Sequence, residues 1–305
     1  SALLARQAGT AHPVSDGSAP LHAAAKFGHE QVARALIENG AAVNAAANNG
    51  FTSLMLSAQN GHDLCALALL ENGAAVDTAS KAGETALMKA AKSGHAQVAR
   101  ELIKAGASPE AKNYEGMTAL LWAATNGHEQ VARALVENGA TVNTAANNGF
   151  TALMLSAEGG HEQVARALLK AGAYVHASNT DGMTSLITAC ENGHQPCAAL
   201  LIEAGADVNK AQDNNGFTAL MFACQNNHDL CARELIKAKA SVNHATPQGH
   251  TSLMVAAQNG HDLVARALLE AGADRNKEIR WHSGWNALKL AERAGHTAVC
   301  DLLTN

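Results

Sequence analysis

The chain has 305 residues, of which 47% are hydrophobic and only 3% aromatic, and its formal net charge is −5. This balance describes a soluble, mildly acidic protein without the basic excess that would attract nucleic acid. The sequence has no apolar run long enough to span a membrane, and residues 1–16 lack the basic start and apolar core of a signal peptide.

The elements predicted along the chain begin with a short N-terminal segment, residues 1–16. Leu3 and Leu4, in the sequence SALLARQAG, predict a short helix that covers the open side of the residues that follow. The ends of repeat proteins must shield an apolar edge from water, so we interpret this segment as a cap.

From residue 17 onward, a pattern close to G-x-[TS]-x-L recurs nine times. The first six leading glycines lie 33 residues apart, and one and two extra residues enter the sixth and eighth gaps; the glycines are Gly17, Gly50, Gly83, Gly116, Gly149, Gly182, Gly216, Gly249 and Gly284. Such a period is typical of a solenoid, in which each unit buries its apolar face only by stacking on its neighbours. Length alone would suggest two domains, but the sequence predicts one elongated array.

The fifth copy, residues 149–181, shows the predicted unit most clearly. Thr151 can cap a first helix whose apolar residues recur at helical spacing, and Gly160 follows the end of that helix. A second helix begins at His161 and ends at Gly172, for which we expect a left-handed backbone. About ten polar or small residues then lead to the next copy.

The motif T-P-L-H-x-A is closely matched in the first copy by Ser18-Ala19-Pro20-Leu21-His22-Ala23-Ala24. On this motif and the 33-residue period, the chain resembles the ankyrin repeat over almost its whole length. The resemblance implies an all-α repeat solenoid of stacked antiparallel helix pairs with projecting β-hairpin fingers. It divides the chain into an N-terminal capping segment (1–16), eight repeats (17–283) and a C-terminal capping repeat (284–305).

The resemblance also implies a function, namely protein binding across the concave helix face and the finger tips. The sequence has no G-x-x-x-x-G-K-[ST], G-x-S-x-G or H-E-x-x-H motif, so we predict a protein that is not an enzyme and holds no cofactor. The alternative is a targeting or substrate-recruiting arm of a larger enzyme or effector whose catalytic domain lies outside this chain. An engineered consensus scaffold is disfavoured by the 34- and 35-residue gaps and the variation at buried positions.

The residue directly after each leading glycine, here called the tip row, is predicted to lie at a finger tip. Six of its nine residues are large and apolar, and a line of exposed apolar side chains indicates an interaction surface. The alternative is that each ring packs on the adjacent finger and holds the hairpins together. With Tyr114 as a neighbour, the partner-binding candidates in this row are Phe51, Met117, Phe150, Met183, Phe217, His250 and Trp285.

Two further rows extend this candidate surface. The ridge row lies nine positions after each leading glycine, and the amide row lies ten positions after it. They are mostly neutral amides, which suit hydrogen bonds to a peptide backbone. The candidates are Gln59, Asn60, Thr125, Asn126, Glu158, Glu191, Asn192, Gln225, Asn226, Gln258 and Asn259. We predict a monomer that binds a protein or peptide segment with spaced apolar anchors, and neither nucleic acid nor membrane.

Nine of the fifteen histidines occupy one position, twelve residues after the leading glycine. Neighbouring copies stand about 10 Å apart, too far to share a metal ion. We therefore expect each histidine to hydrogen-bond the backbone near the start of the second helix. Methionines recur at another position, where we expect core packing: Met55, Met88, Met154, Met221 and Met254.

The six cysteines could suggest a metal site, because Cys190 and Cys197 lie seven residues apart, as do Cys224 and Cys231. Zinc sites use shorter spacings, and these cysteines replace Ala or Val of other copies. We therefore predict core residues and no metal. Nothing resembles a disulfide framework, which predicts reduced thiols in a cytoplasmic protein, with the nucleus as the alternative compartment.

Two charged patterns could suggest an anionic ligand. Arginines recur on the second helices, but most follow an acidic residue by four positions, as Arg34 follows Glu30, which indicates a self-neutralised solvent face. Residues 275–283 (RNKEIRWHS) combine basic side chains with Trp281. This segment is either a phosphate- or acidic-peptide-binding patch or an elongated last finger that packs on the cap, and we favour the finger.

Overall fold

The structure, a computed structural model, describes residues 19–280 and 284–304. These residues form 18 α-helices, and isolated bridges are the only β-structure among them. The N-terminal cap predicted for residues 1–16 lies outside the described residues. The chain divides into two compact units, called here the N-terminal and C-terminal units, and the division along the sequence falls between Asn147 and Asn148.

The N-terminal unit contains four helix pairs. In chain order its helices are α1 (Pro20–Phe27), α2 (Glu30–Glu38), α3 (Ser53–Asn60), α4 (Asp63–Glu71), α5 (Ala86–Ser93), α6 (Ala96–Lys104), α7 (Ala119–Thr125) and α8 (Glu129–Glu137). Within the unit, each first helix packs on its own second helix and on the first helices of adjacent pairs. The second helices form the other layer.

The C-terminal unit contains five pairs built on the same plan. Its helices are α9 (Ala152–Glu158), α10 (Glu162–Lys170), α11 (Ser185–Glu191), α12 (Gln195–Glu203), α13 (Ala219–Gln225), α14 (Asp229–Lys237), α15 (Ser252–Asn259), α16 (Asp262–Glu270), α17 (Ala287–Ala294) and α18 (Thr297–Thr304). Its first helices also pack on first helices, and its second helices on second helices. No helix in the described ranges combines the length and apolarity needed to cross a membrane.

Seven of the nine first helices that the structure describes begin at a threonine cap, as the sequence predicted for the fifth copy. In the fifth copy, Thr151 has an extended backbone and its side chain accepts a hydrogen bond from the amide of Met154. This bond satisfies one of the amides that the first turn of a helix leaves without a partner. The same cap, from a threonine to the residue three positions later, is made by Thr52, Thr85, Thr118, Thr184, Thr218 and Thr251.

The histidine position joins neighbouring repeats. The Nε2 atom of His62 lies 3.0 Å from the carbonyl oxygen of Lys26 at the end of the preceding first helix. A hydrogen bond to the backbone is therefore confirmed, but its partner lies in the previous copy and not near the start of the second helix, so the predicted location is wrong. Gly28 has φ 74°, and a Cβ on it would lie 2.6 Å from the His62 ring, so this position requires glycine on both counts.

The core consists mainly of alanine, leucine and methionine side chains. All five methionines of the predicted core position have at most 1% of their surface exposed, which confirms that interpretation. Five of the six cysteines are buried as free thiols, and Cys300 is partly exposed. Alanine fills most of the remaining interior positions, which lets the helices approach closely.

The fingers between helix pairs are turns closed by single antiparallel bridges, such as Ala46 to Thr52 and Ser178 to Thr184. Neighbouring fingers are joined by backbone hydrogen bonds. In the N-terminal unit the amide of Lys81 donates to the carbonyl of Asn49 at 3.0 Å. Because each finger bonds the next, the loops that flank the first helices are held at fixed positions.

Candidate functional site

The first helices and the fingers share one face in each unit, here called the first-helix face. The tip, ridge and amide rows lie on it, together with a floor row six positions after each leading glycine. The floor row is Ala23, Leu56, Lys89, Trp122, Leu155, Thr188, Phe222, Val255 and Leu290. Residues of all four rows line a pocket between α1 and α3, so the candidate rows do form one surface there.

The tip row is less exposed than the sequence suggested. Met117 and Met183 retain only 9% of their surface, so the prediction that they project from the finger tips is wrong. The finger folds back at this point because Asn113 and Met117 are joined by two hydrogen bonds. Asn113 Oδ1 accepts one from the Met117 backbone amide at 2.8 Å, and the Asn113 backbone amide donates the other to the Met117 carbonyl. The chain then turns directly into the Thr118 cap, which directs the methionine toward the protein interior.

The other tip-row candidates lie half-buried on the first-helix face rather than at the outer end of the fingers. They are Phe51, Phe150, Phe217, His250 and Trp285. By contrast, Tyr114 is 76% exposed and does occupy a finger tip. The tip row therefore lines the surface beside the first helices, and its rings can meet a partner from only one side.

Phe51 belongs to a cluster that connects three copies of the repeat. Its carbonyl accepts a hydrogen bond from His22 Nε2 at 3.0 Å, and the Lys89 ammonium lies 4.5 Å from its ring centroid. Lys89 also forms an ion pair with Glu84, and both side chains are almost completely buried. The Phe51 ring and backbone are thus fixed by charge and hydrogen bonding.

In the C-terminal unit, tip-row rings pack on side chains of their own copy. Phe217 contacts Phe222 of the floor row edge to face, with ring centroids 5.5 Å apart. Trp285 lies beneath Arg293 of the ridge row, with the guanidinium carbon 5.0 Å from the ring centroid. These contacts do not support the stapling alternative, because the rings pack on the first helices of their own copies and not on adjacent fingers.

The amide row has a structural role that the sequence analysis missed. Its asparagines donate from Nδ2 to the carbonyl four residues earlier, as Asn60 does to Leu56 at 2.8 Å. Asn126, Asn192 and Asn259 make the same bond. Asn226 instead donates to the carbonyl of Glu191 in the preceding copy. These donors satisfy carbonyls at helix ends, and only the rest of each amide is available to a partner.

The ridge row differs in charge between the units. In the N-terminal unit it carries Lys26 and Lys92, whose ammonium groups lie 5.6 Å and 3.9 Å from the rings of Phe27 and Trp122. In the C-terminal unit, burial and the negative charge of Glu158 raise the pKa of the Glu191 carboxyl. The remaining ridge candidates Gln59, Gln225 and Gln258 are exposed, and Thr125 is half-buried and donates to the carbonyl of Leu121.

The pocket between α1 and α3 has a volume of about 530 Å³. Its apolar lining includes Phe27, Phe51 and Leu56, and Phe27 is 62% exposed. Lys26 and Gln59 stand at its rim. A second pocket, of about 360 Å³, lies at the equivalent position in the C-terminal unit and is lined by His250, Gln258, Ile279, Trp285, Leu290 and Arg293.

Sequence reasoning missed the floor-row residues Lys89 and Trp122. The available signal was the floor row itself, which changes from copy to copy while the positions on either side stay nearly constant. A position that varies beside constant core positions is not fixed by the packing that all copies share.

Cys190 and Cys197 are unreactive because of where they lie. Burial raises the pKa of the Cys197 thiol to about 11, and a hydrogen bond with Cys231, together with burial, raises the pKa of Cys190. Thiolate is the reactive form, so these groups are poor nucleophiles and poor metal ligands. No cluster of three or more His, Cys, Asp or Glu side chains suited to a metal occurs in the part of the chain that the structure describes.

The second helices carry the predicted ion pairs. Arg34 pairs with Glu30, Arg133 with Glu129 and Arg166 with Glu162, each at 2.7 Å. All are at least partly exposed, which confirms a neutralised solvent face and gives no basic stripe.

The C-terminal insert packs on its surroundings as far as it is described. Arg275 donates to the carbonyl of Leu303 at 3.3 Å, and Lys277 donates to the carbonyl of Asn243 at 2.9 Å. Ile279 is buried and its amide donates to the Trp285 carbonyl. These bonds support the elongated finger, while Trp281 lies outside the described residues.

One family model matches the chain, described as Ankyrin repeats (3 copies), over residues 2–80, 75–146, 142–212, 209–279 and 243–305. Together these matches cover almost the entire sequence. Ankyrin repeats are generally protein–protein interaction modules and are typically non-catalytic. No curated protein matches the chain at a significant level.

Proposed function

The chain belongs to the ankyrin-repeat family, and from this premise we propose that it is a non-catalytic scaffold that binds a partner protein on its first-helix face. The contact residues are those of the ridge row and the half-buried rings of the tip row, together with the accessible residues of the floor row, Ala23, Leu56, Trp122 and Leu155. The partner is a protein or peptide segment with spaced apolar anchors. We further propose that residues 1–16 and 284–305 cap the eight repeats between them.

The observation that carries this proposal is the distribution of variation among the copies. Positions in the core repeat Ala, Leu, Met or small residues, and the second helices repeat the same ion pairs. The floor and ridge rows instead change in size and charge from one copy to the next, with Lys89, Trp122 and Phe222 at equivalent positions. Positions that vary while the packing around them is unchanged are the ones that can specify a partner.

Two observations bear on the setting. The six cysteines are free thiols, which fits a monomer in the reducing cytoplasm. The arginines of the second helices are largely paired with acids, which disfavours nucleic acid as the partner.

A site-specific photo-cross-linking experiment tests the proposal. A benzoylphenylalanine is placed in the full chain at Gln59 or Gln225 on the ridge row, and at Leu64 or Leu230 on second helices as controls. All four positions are exposed, so the substitutions should leave folding unchanged. Irradiation in extract of the source cells should yield a discrete cross-linked protein from the ridge-row positions and not from the second helices. Cross-links from Leu64 and Leu230 alone would contradict the proposal.

A further inference from the structure

We propose that the pocket between α1, α3 and the first finger binds an apolar side chain of an acidic partner segment. This proposal rests on the proposed function and specifies the partner's chemistry.

The pocket is large enough and apolar enough for such an anchor. Its volume of about 530 Å³ exceeds that of any single side chain and falls in the range of ligand sites. Phe27 on one wall is 62% exposed, while Phe51 and Leu56 are half-buried on the other. An apolar side chain placed here would remove these surfaces from water, which is the main source of affinity at interface anchors.

The charge around the pocket selects the sign of the partner. Lys26 is the only Lys, Arg, Asp or Glu among the described lining residues, and it is exposed. Lys92 follows on the same ridge, whereas the nearby Lys89 is neutralised by Glu84. Within the N-terminal unit, the ridge and floor rows hold no acidic residue. Carboxylates that flank the anchor would therefore meet positive charge only.

The far wall of the pocket is fixed before any partner arrives. The Nδ1 atom of the buried His22 accepts a hydrogen bond from the Ala19 backbone amide. The Nε2 atom therefore carries the proton and donates to the Phe51 carbonyl. The Ala47 amide donates to the same carbonyl at 2.8 Å. Because the wall is preorganised, little conformational entropy is lost on binding.

Two other occupants are weaker candidates on charge. Residues 1–18 of the same chain carry Arg6 against Asp16, so this segment has no net negative charge to match Lys26. A second copy of the chain would bring the same lysines to the contact. An acidic segment of a partner protein fits better than either.

The test uses fluorescence anisotropy of labelled peptides with the full-length protein. The probe peptide has a central phenylalanine flanked on both sides by Asp and Glu. Two control peptides replace the phenylalanine by serine, or the acidic residues by lysine. We expect the probe to bind at least about tenfold more tightly than either control, and its affinity to fall as salt is added.

Three variants locate the bound peptide. Phe27→Ser removes the exposed wall of the pocket and should lower the affinity for the probe at least about tenfold. Lys26→Glu reverses the rim charge, so it should weaken the acidic probe about tenfold and strengthen binding of the lysine peptide. The matched control is Leu64→Ser, an exposed apolar residue on α4 outside the pocket, which should change affinity less than about twofold. Circular dichroism melts check that each variant is folded.

Several outcomes would overturn the proposal. One is equal affinity for the acidic and lysine peptides, and another is an equal loss of probe affinity in Phe27→Ser and Leu64→Ser. A gain of about tenfold in probe affinity in the double variant Leu3→Ser/Leu4→Ser would identify the N-terminal segment as the occupant of the pocket. A dimer in sedimentation that Phe27→Ser abolishes would identify a second copy.

The failure of this proposal can be told apart from the failure of the proposed function. If the acidic peptide does not bind but Gln59 or Gln225 still cross-links a protein in extract, the interaction function stands and only the partner's chemistry is wrong. If the ridge positions also yield no cross-link, both proposals fall.

Discussion

The ridge row of the N-terminal unit carries Lys26 and Lys92, each beside an aromatic ring, whereas that of the C-terminal unit carries Glu158 and Glu191 with the single cation Arg293, so its net charge is negative. The helices beneath these side chains, α1 and α5 in one unit and α9 and α11 in the other, differ in length by only one residue and pack in the same way on neighbouring first helices. The fold therefore does not depend on the charge of this row. The difference teaches that one repeat plan can present surfaces of opposite sign without a change in its packing.

The floor row makes a similar contrast at a position that is nearly buried. The N-terminal unit holds Lys89 there, paired with Glu84 and stacked on Phe51, while the C-terminal unit holds Phe222 against Phe217. An ion pair and a ring pair thus occupy equivalent positions. They differ in what happens when one member is lost, because an unpaired buried charge is far costlier than a shortened ring contact.

The largest expected effect comes from breaking the ion pair. Glu84→Gln leaves the Lys89 ammonium buried without a counter-charge and should lower the free energy of unfolding by about 3 kcal/mol. The double variant Glu84→Met/Lys89→Trp copies Met117 and Trp122 of the next repeat and should lie within about 1 kcal/mol of the wild type. Urea denaturation measures both. Equal losses in the single and double variants would show that the pair is not coupled.

The ring pair should respond less. Phe217→Ser removes the edge contact with Phe222 and part of the buried ring, and should cost about 1–2 kcal/mol. Phe27→Ser, at an exposed ring, should cost less than about 0.5 kcal/mol. Thermal melts followed by circular dichroism compare the two. If Phe217→Ser were as mild as Phe27→Ser, the tip-row ring would not hold the first-helix face together.

Backbone strain gives a smaller expected change in stability, and it occurs only in the C-terminal unit among the described residues. The N-terminal unit has glycine at every position just after a second helix, but the C-terminal unit has Lys239 there with φ 67°. Lys239→Gly should stabilise the protein by about 0.5–1 kcal/mol, because glycine adopts this conformation without strain. Asn227, at φ 59°, should gain only a few tenths of a kcal/mol on replacement by glycine. A loss of stability in Lys239→Gly would contradict this account of the strain.

The smallest effect is the pH dependence of the acidic ridge. The folded pKa of Glu191 is raised above its unfolded value by burial and by Glu158, so the folded state binds the proton more tightly. Its contribution to stability is greatest in acid and is lost as the pH rises through the raised pKa. Glu191→Gln should therefore stabilise the protein at pH 7 by a few tenths of a kcal/mol, since solvent screens the site. Melts of both proteins from pH 4 to pH 7 test this, and a destabilised Glu191→Gln at pH 7 would contradict it.

Much of the fold follows from the sequence, because the features that build it act locally or recur in every copy. The threonine caps and the methionine core depend on short spacings and were confirmed, whereas the histidine bond joins neighbouring copies and its partner was not predicted. The burial of Met117 and Met183 could not be predicted, since it depends on how Asn113 and Asn179 fold each finger back. The Lys89 cluster and the pocket beside Phe27 also escaped, because they join side chains from different copies.

The most direct measurement of partner binding is hydrogen–deuterium exchange of the full chain, with and without a saturating amount of the acidic phenylalanine peptide. If the peptide binds in the pocket, hydrogen exchange should slow in fragments that cover the first finger and α3, residues 45–60. Exchange in α4, on the opposite layer, should not change. Slower exchange confined to α4 and the other second helices would contradict binding on the first-helix face.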